Sequence, residues 1–260
     1  MDNEIRVVLA LARSDFSYFF RTKWLMAVLL SLNLSDMLVV ALVYTNMMKS
    51  LNYFDYFVPA VIIMGLFAAS LDTGRRIWLA LREGVTQYEL SLPVSIQGLV
   101  SAYLIAGACA ALVYASSLMG IALIVLPARS IVSAVMLLPF LFVLAMGLAG
   151  ISGALAALAS THGEFFFAFQ NIMQGLLLTL STVYYPIANI QKILPPFLMV
   201  VVNANPLSLA SGAMRQYAFQ GIPIQPIALA QILAASIPFV VVGAVAYTWA
   251  LRKVQQEGKL

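Results

Sequence analysis

Six long apolar blocks, at 24–45, 53–71, 98–126, 131–159, 165–185 and 227–251, constrain this chain more than any motif it carries. A helix crosses the hydrocarbon of a bilayer with roughly 20 mainly apolar residues, so each block reads as a crossing. The second is the shortest and draws on Tyr53 to Tyr56 as an aromatic collar at the interface. Only 9% of the residues are charged and the mean hydropathy is +0.97, more apolar side chain than one soluble core of this length can bury. Lipid must solvate the remainder. The expected fold class is an all-α, polytopic membrane protein of six transmembrane helices. No linker or low-complexity tract divides it, so 1–260 reads as a single domain.

The charges report orientation rather than nucleic-acid binding, because the basic residues are scattered at helix ends although the net charge is +4. Arg6, Arg13, Arg21, Lys23, Arg75, Arg76, Arg82, Arg252, Lys253 and Lys259 fall on one side, and Lys49, Arg129, Lys192 and Arg215 on the other. The positive-inside rule then places both termini in the cytoplasm, as an even number of spans requires. One cysteine (Cys109) and one histidine (His162) leave no basis for a disulfide framework or a multi-ligand metal site.

Residues 1–23 read as an interfacial helix rather than a cleaved signal, since Asp2, Glu4 and Asp15 are mixed with the basic residues. Ile5, Val8, Leu9, Ala12, Phe16, Phe19 and Phe20 recur at helical spacing, opposite Glu4, Arg13, Ser17 and Arg21. After the second block, Ile77, Leu81, Val85, Tyr88 and Leu92 make one apolar face over 74–92, with Gly84 a point of kinking and Pro93 the stop. Such a helix either lies on lipid headgroups or docks into a partner's groove, and charge and periodicity do not separate the two. The turn 160–164, with His162 and Glu164, is very short. Residues 187–204 are apolar, too short to span and interrupted by Pro195 and Pro196, which suggests a re-entrant pair; an interfacial loop fits the composition equally.

Several polar residues fall inside the blocks. Asp36 lies near the middle of the first, three residues after Asn33, and an intramembrane carboxylate either serves function or sits hydrogen-bonded at a helix interface. Gln170, Gln174 and Ser181, with Asn171 alongside, form a sparse stripe on the fifth, either lining a conduit or bonding to a neighbouring helix. Phe165, Phe166, Phe167 and Phe169 stand at its mouth. The small residues Ala149, Gly150, Gly153, Ala154 and Ala157, and on the third block Ala102, Ala106 and Ala110, read as close helix packing. There is no GxxxxGK[ST], HExxH or GxSxG sequence, so catalysis is not what these residues point to and no catalytic residue is assigned.

Arg82-Glu83-Gly84 followed by Leu90-Ser91-Leu92-Pro93-Val94-Ser95 resembles the cytoplasmic segment after the second span in membrane subunits of type-2 ABC transporters. Ser181-Thr182-Val183-Tyr184-Tyr185-Pro186, then Asn205-Pro206-Leu207-Ser208 and Arg215, resemble a later pattern of the same family. The resemblance covers nearly the whole chain. It implies a non-catalytic permease in the cell membrane, paired with a second copy or a paralogue. Two copies of a separate nucleotide-binding subunit would hold the ATP and magnesium. It also makes 74–92 a coupling helix, with Arg76, Arg82, Glu83, Gly84, Glu89 and Pro93 at the partner contact, the turn 160–164 a lesser contact, and 187–204 a re-entrant segment. Asn33, Asp36, Gln170, Asn171, Gln174 and Ser181 are the candidates for a substrate path, and the substrate class stays open among drug-like, amphiphilic, lipid-linked and glycan compounds. The competing reading is an ion-gradient-driven secondary transporter, but the halves of the chain show no internal similarity.

Overall fold

The structure, a computed structural model, describes residues 2–47, 52–160 and 162–256; Lys49, Lys259 and Thr161 of the 160–164 turn lie outside them. Among the described residues every regular element is helical: α1 Asp2–Arg21, α2 Lys23–Ser35, a π-helical turn Asp36–Val40, α3 Ala41–Met47, α4 Tyr53–Arg82, α5 Val85–Ser91, α6 Ile96–Val125, α7 Ile131–Leu158, α8 Gly163–Thr179, α9 Ile187–Ile190, α10 Pro196–Ala204, α11 Pro206–Ala213 with a π-helical turn Met214–Phe219, and α12 Pro226–Gln256. Among the described residues, five stretches are long and apolar enough to cross a membrane: Met26–Met47, α4, α6, α7 and α12. The count is six if Pro196–Ala204 and Pro206–Phe219, which meet at 61°, form one broken span.

Helix α4 is the hub. Its apolar stretch is buried on nearly all sides, by α6, α7 and the π-helical and α3 segments. The α7–α12 pair packs most closely, because small residues let the backbones meet. A Cβ placed on Gly243 of α12 would stand 2.8 Å from the Ile151 nitrogen and 2.9 Å from the Gly150 carbonyl carbon, so only hydrogen fits there. Gly150 and Gly153 belong to the small-residue stripe read from the sequence, and Gly153 faces Ile77 and Tyr247. Ala102 and Ala106 do the same for α1, meeting Ala12 in a small cluster with Val8, Leu11 and Phe16.

Three boundaries differ from the sequence reading. Residues 74–92 are not one helix: α4 runs on from the second block to Arg82, Gly84 takes the left-handed conformation (φ +76) as helix ends favour, and α5 starts afresh. The turn also divides the expected apolar face, since Ile77 and Leu81 point into the core while Val85 and Tyr88 are exposed. The fifth block is shorter than expected, because α8 has 17 residues and stops at Thr179. Its last carbonyls are taken from outside: Asn205 Nδ2 donates to the oxygens of Leu177 (2.8 Å) and Leu180 (2.7 Å), and the Ser181 hydroxyl donates to Leu178. The bent pair of apolar helices reaches beyond 187–204 to Phe219, and Pro195 and Pro196 start α10 rather than interrupt a helix.

Candidate functional site

Polar side chains gather at two ends of the bundle. One end holds α5, the start of α6 and the C-terminal turns of α12; the other holds α9, the start of α4 and the turn before α7. At the α5 end, Arg76 of α4 is buried (3% exposed) rather than displayed, which removes it from any surface contact. Its Nη1 donates to the Asp15 carboxylate and, at 3.0 Å, to the Asp15 carbonyl, while Nη2 donates to Thr73 Oγ1 at 3.1 Å. Asp72 Oδ2 lies 3.5 Å from its Nε, and the Phe19 ring stacks at 5.3 Å. Asp72 is held chiefly by Arg75, at 2.6 Å. The expected apolar face of α1 is met in part: Ala12 and Phe19 turn inward and Arg13, Ser17 and Arg21 outward, but Ile5 and Leu9 are exposed. Asp15, which falls between the two faces, was not singled out by sequence; a carboxylate 61 positions from its partner leaves no local pattern.

The short helix α5 is tethered near its C-terminal end, and the stretch that follows it is tethered to α1. Glu89 Oε2 accepts the Tyr103 hydroxyl of α6 at 2.8 Å, and Glu4 Oε1 of α1 accepts Ser95 N (3.1 Å) and Oγ (2.6 Å). Ser95 Oγ in turn accepts Gly98 N at 3.0 Å, capping α6. A crevice of about 160 Å³ separates the parts, with Asp15, Tyr18, Arg76, Glu83, Glu89 and Tyr103 on its walls. Burial pushes the carboxyls of Asp15 and Glu89 above the usual range, for Asp15 against the pull of Arg76 and for Glu89 against its bond from Tyr103. The Ser95 hydrogen bonds draw exposed Glu4 the other way. Arg82, Glu83 and Pro93 remain exposed around Val85 and Tyr88.

The expected path residues do not converge within one chain. Asn33 is buried and donates to Tyr114 Oη (3.0 Å) and Leu29 O (2.9 Å), so it fastens α2 to α6. Asp36 opens the π-helical turn, half-buried, within electrostatic range of Tyr184. Gln170 Nε2 donates to Leu71 O at 3.2 Å, a contact between α8 and α4, and Ser181 caps α8. Asn171 is exposed and Gln174 half-buried. Of the phenylalanine cluster, Phe166 is buried against Trp78, with rings parallel at 6.4 Å, while Phe165, Phe167 and Phe169 face outward. His162 precedes α8 and meets the Phe165 ring edge-on at 5.7 Å.

At the α9 end the two late sequence motifs close on each other. Besides capping α8, Asn205 accepts Leu207 N through Oδ1 at 2.9 Å, so one side chain ends one helix and starts another. Ser208 Oγ accepts Thr182 N at 2.9 Å. Arg215, buried and facing no carboxylate among the described residues, donates to the carbonyls of Tyr56 (2.7 Å), Thr182 (2.8 Å) and Val183 (3.1 Å) and stacks 3.7 Å over the Tyr56 ring. The hydroxyls of Tyr53 and Tyr56, the residues expected as an aromatic collar, donate inward, Tyr53 to Tyr184 O at 2.7 Å and Tyr56 to Thr182 O. The bend after α8 offers carbonyls that no helix uses, and these tyrosines and Arg215 satisfy them. No known protein-family profile matches the sequence, and no curated protein matches it.

Proposed function

We propose that this chain is the permease subunit of an ATP-driven exporter of the type-2 ABC class. It works in the cell membrane with both termini cytoplasmic, beside a second copy or a paralogue, and two nucleotide-binding subunits carry the ATP and magnesium. The observation that carries the reading is the α5 segment. Val85 and Tyr88 are 42% and 68% exposed on a helix that Glu89 ties to α6, and exposed Arg82, Glu83 and Pro93 flank them along the chain. An exposed apolar pair on a tethered helix, with charged residues beside it, is how one protein meets another. Glu83 and Gly84 also stand where the family resemblance puts the partner contact.

Force applied to α5 has a short route inward. It passes along the backbone into α4, across Arg76 and Asp15 to α1, and across Glu89 and Tyr103 to α6. Closure of the ATPase pair would draw the two α5 helices together and favour a bundle arrangement open to the opposite side, a shift of population rather than chemistry on this chain. Asp36, Asn171 and Gln174, which internal packing does not consume, are the polar groups left to face a path between two copies. Its substrate class is an amphiphilic, drug-like, lipid-linked or glycan compound.

The test is co-expression with the cognate ATPase subunit. The purified permease alone hydrolyses no ATP, the complex co-purifies and its hydrolysis rises with substrate, and Tyr88→Asp abolishes both association and stimulation while the melting temperature holds. Transport in liposomes driven by an ion gradient alone, without the ATPase, would overturn the reading in favour of a secondary transporter.

A further inference from the structure

Near the α9 end a crevice of about 180 Å³ opens between α6 and α7. Ala115 and Met119 form one wall, Ala134 and Leu138 the other, and Ile62 of α4 and Met214 the floor. Its only polar lining side chain is Ser116. An apolar cavity of about 150 Å³ stays dry and accepts a hydrocarbon guest, so this one has no use for water. It is not sealed: the lining residues Ile131 and Val135 are 61% and 56% exposed, which opens it sideways to whatever surrounds the bundle.

Its length fits one kind of guest. On α7 the lining runs from Ile131, the first residue of the helix, to Leu141, ten residues or about 15 Å along the axis. On α6 it runs back from Leu123 to Ala115. That is one leaflet, half of the roughly 30 Å hydrocarbon thickness. The shallow end stops at the turn joining the two helices, and Arg129 lies in that turn, exposed and with no carboxylate at ion-pair distance among the described residues.

The turn is built to hold the arginine there. Ser130 N donates to Ala218 O at 2.9 Å, and Ser130 Oγ accepts Ser133 N at 3.2 Å, capping α7. The stem of Arg129 packs against Gly221, a glycine at φ +71; a Cβ there would come within 2.8 Å of the arginine Cβ. A dry slot about 15 Å long, with an exposed cation in the turn at its shallow end, has the chemistry of a phospholipid with a negative headgroup.

We propose that this crevice holds one acyl chain of an anionic glycerophospholipid whose phosphate is met by Arg129. The site does not depend on the transport reading, since it requires only that the bundle lie in lipid. It would retain its lipid when the surrounding annulus is exchanged for detergent, and it distinguishes headgroups by charge rather than chains by length.

The test is native mass spectrometry of the delipidated protein titrated with phosphatidylglycerol or phosphatidylcholine of identical chains. Wild type is expected to retain one phosphatidylglycerol about fivefold better than phosphatidylcholine, the worth of one basic residue at an anionic surface. Arg129→Gln should bring the two lipids level without changing phosphatidylcholine retention. Val135→Trp, which fills the slot from its exposed rim, should lower retention of both. Circular dichroism melting of each variant separates these effects from misfolding. Unchanged headgroup preference in Arg129→Gln, or unchanged retention in Val135→Trp, overturns the proposal. So does a Val135→Trp protein whose monomer–dimer balance shifts while its lipid retention does not, because the slot would then be an interface between copies.

Discussion

The buried Asp15–Arg76 pair makes an asymmetric prediction about which partner can be removed. In Asp15→Asn the guanidinium stays in place with no means of shedding its charge, since arginine does not deprotonate in proteins. Breaking a buried pair this way costs about 3–5 kcal/mol, reduced here because Asp72 remains 3.5 Å from Nε although Arg75 already occupies it. In Arg76→Met the stranded group is a carboxyl, and a carboxyl can take up a proton. Relative to an unfolded Asp near pKa 3.9, that proton costs about 4 kcal/mol at pH 7 and about 1.5 kcal/mol at pH 5, which sets a ceiling on the electrostatic loss at each pH. The folded mutant then binds a proton that the unfolded chain does not, so its stability falls as pH rises above 3.9. Arg76→Met should therefore regain up to about 2–3 kcal/mol of its loss between pH 7 and pH 5, less what wild type itself gains over that window from its raised Asp15 carboxyl, whereas Asp15→Asn should regain none, each measured against wild type at the same pH. Reversible unfolding in mixed micelles by SDS titration, followed by far-UV circular dichroism, reads both differences. Equal pH dependence in the two variants would refute the reasoning, since it would mean that water reaches the pair and screens it.

Glu89→Gln tests the second tether: burial raises the Glu89 carboxyl, so wild-type stability declines as pH climbs through the window between its ordinary and its raised value, and the glutamine variant should lack that decline in the same assay. Gly243→Ala should destabilise by about 1–3 kcal/mol through overpacking against α7, whereas Gly120→Ala on α6, where a Cβ meets nothing within 4 Å, should be neutral or stabilising by up to about 1 kcal/mol; equal melting temperatures would remove the case for backbone contact. Asn205→Ala orphans two carbonyls and one N–H, and should lower stability by about 1–3 kcal/mol and expose the bend after α8 to limited proteolysis.

What was readable in the sequence follows from how local each cause is. Hydropathy marks α4, α6, α7 and α12 because a helix at membrane depth must be apolar, whether it faces lipid, as much of α12 does, or other helices, as α4 does. The stripe around Gly150 and Gly153 was readable because close approach admits only small side chains, whichever helix sits opposite. The end of α8 was not, because what stops it is Asn205, 26 residues beyond Thr179 in a segment that reads as apolar in its own right. The face 77–92 misled for a related reason: periodicity assumes one continuous axis, and a single left-handed glycine at position 84 re-aims everything after it. Neither Arg76 as a buried group nor Asp15 as its partner could be inferred from spacing. Of the path candidates, Asn33, Gln170 and Ser181 turn out to bond within the chain, the alternative that an isolated polar residue in a helix always leaves open.

Arg215 has a consequence for how the protein is made. Its acceptors, the carbonyls of Tyr56, Thr182 and Val183, all precede it in the chain, as does Ser211, 3.5 Å from its Nη1. Synthesis runs from the N-terminus, so by the time this cation leaves the ribosome its partners have been delivered. An arginine that entered the bilayer before them would have to wait in hydrocarbon at several kcal/mol. The order of residues thus makes the packing of α11 and the π-helical turn after it against α4 a late event in biogenesis, and a shortened chain ending before position 215 would keep the acceptors but lose the charge that gathers them.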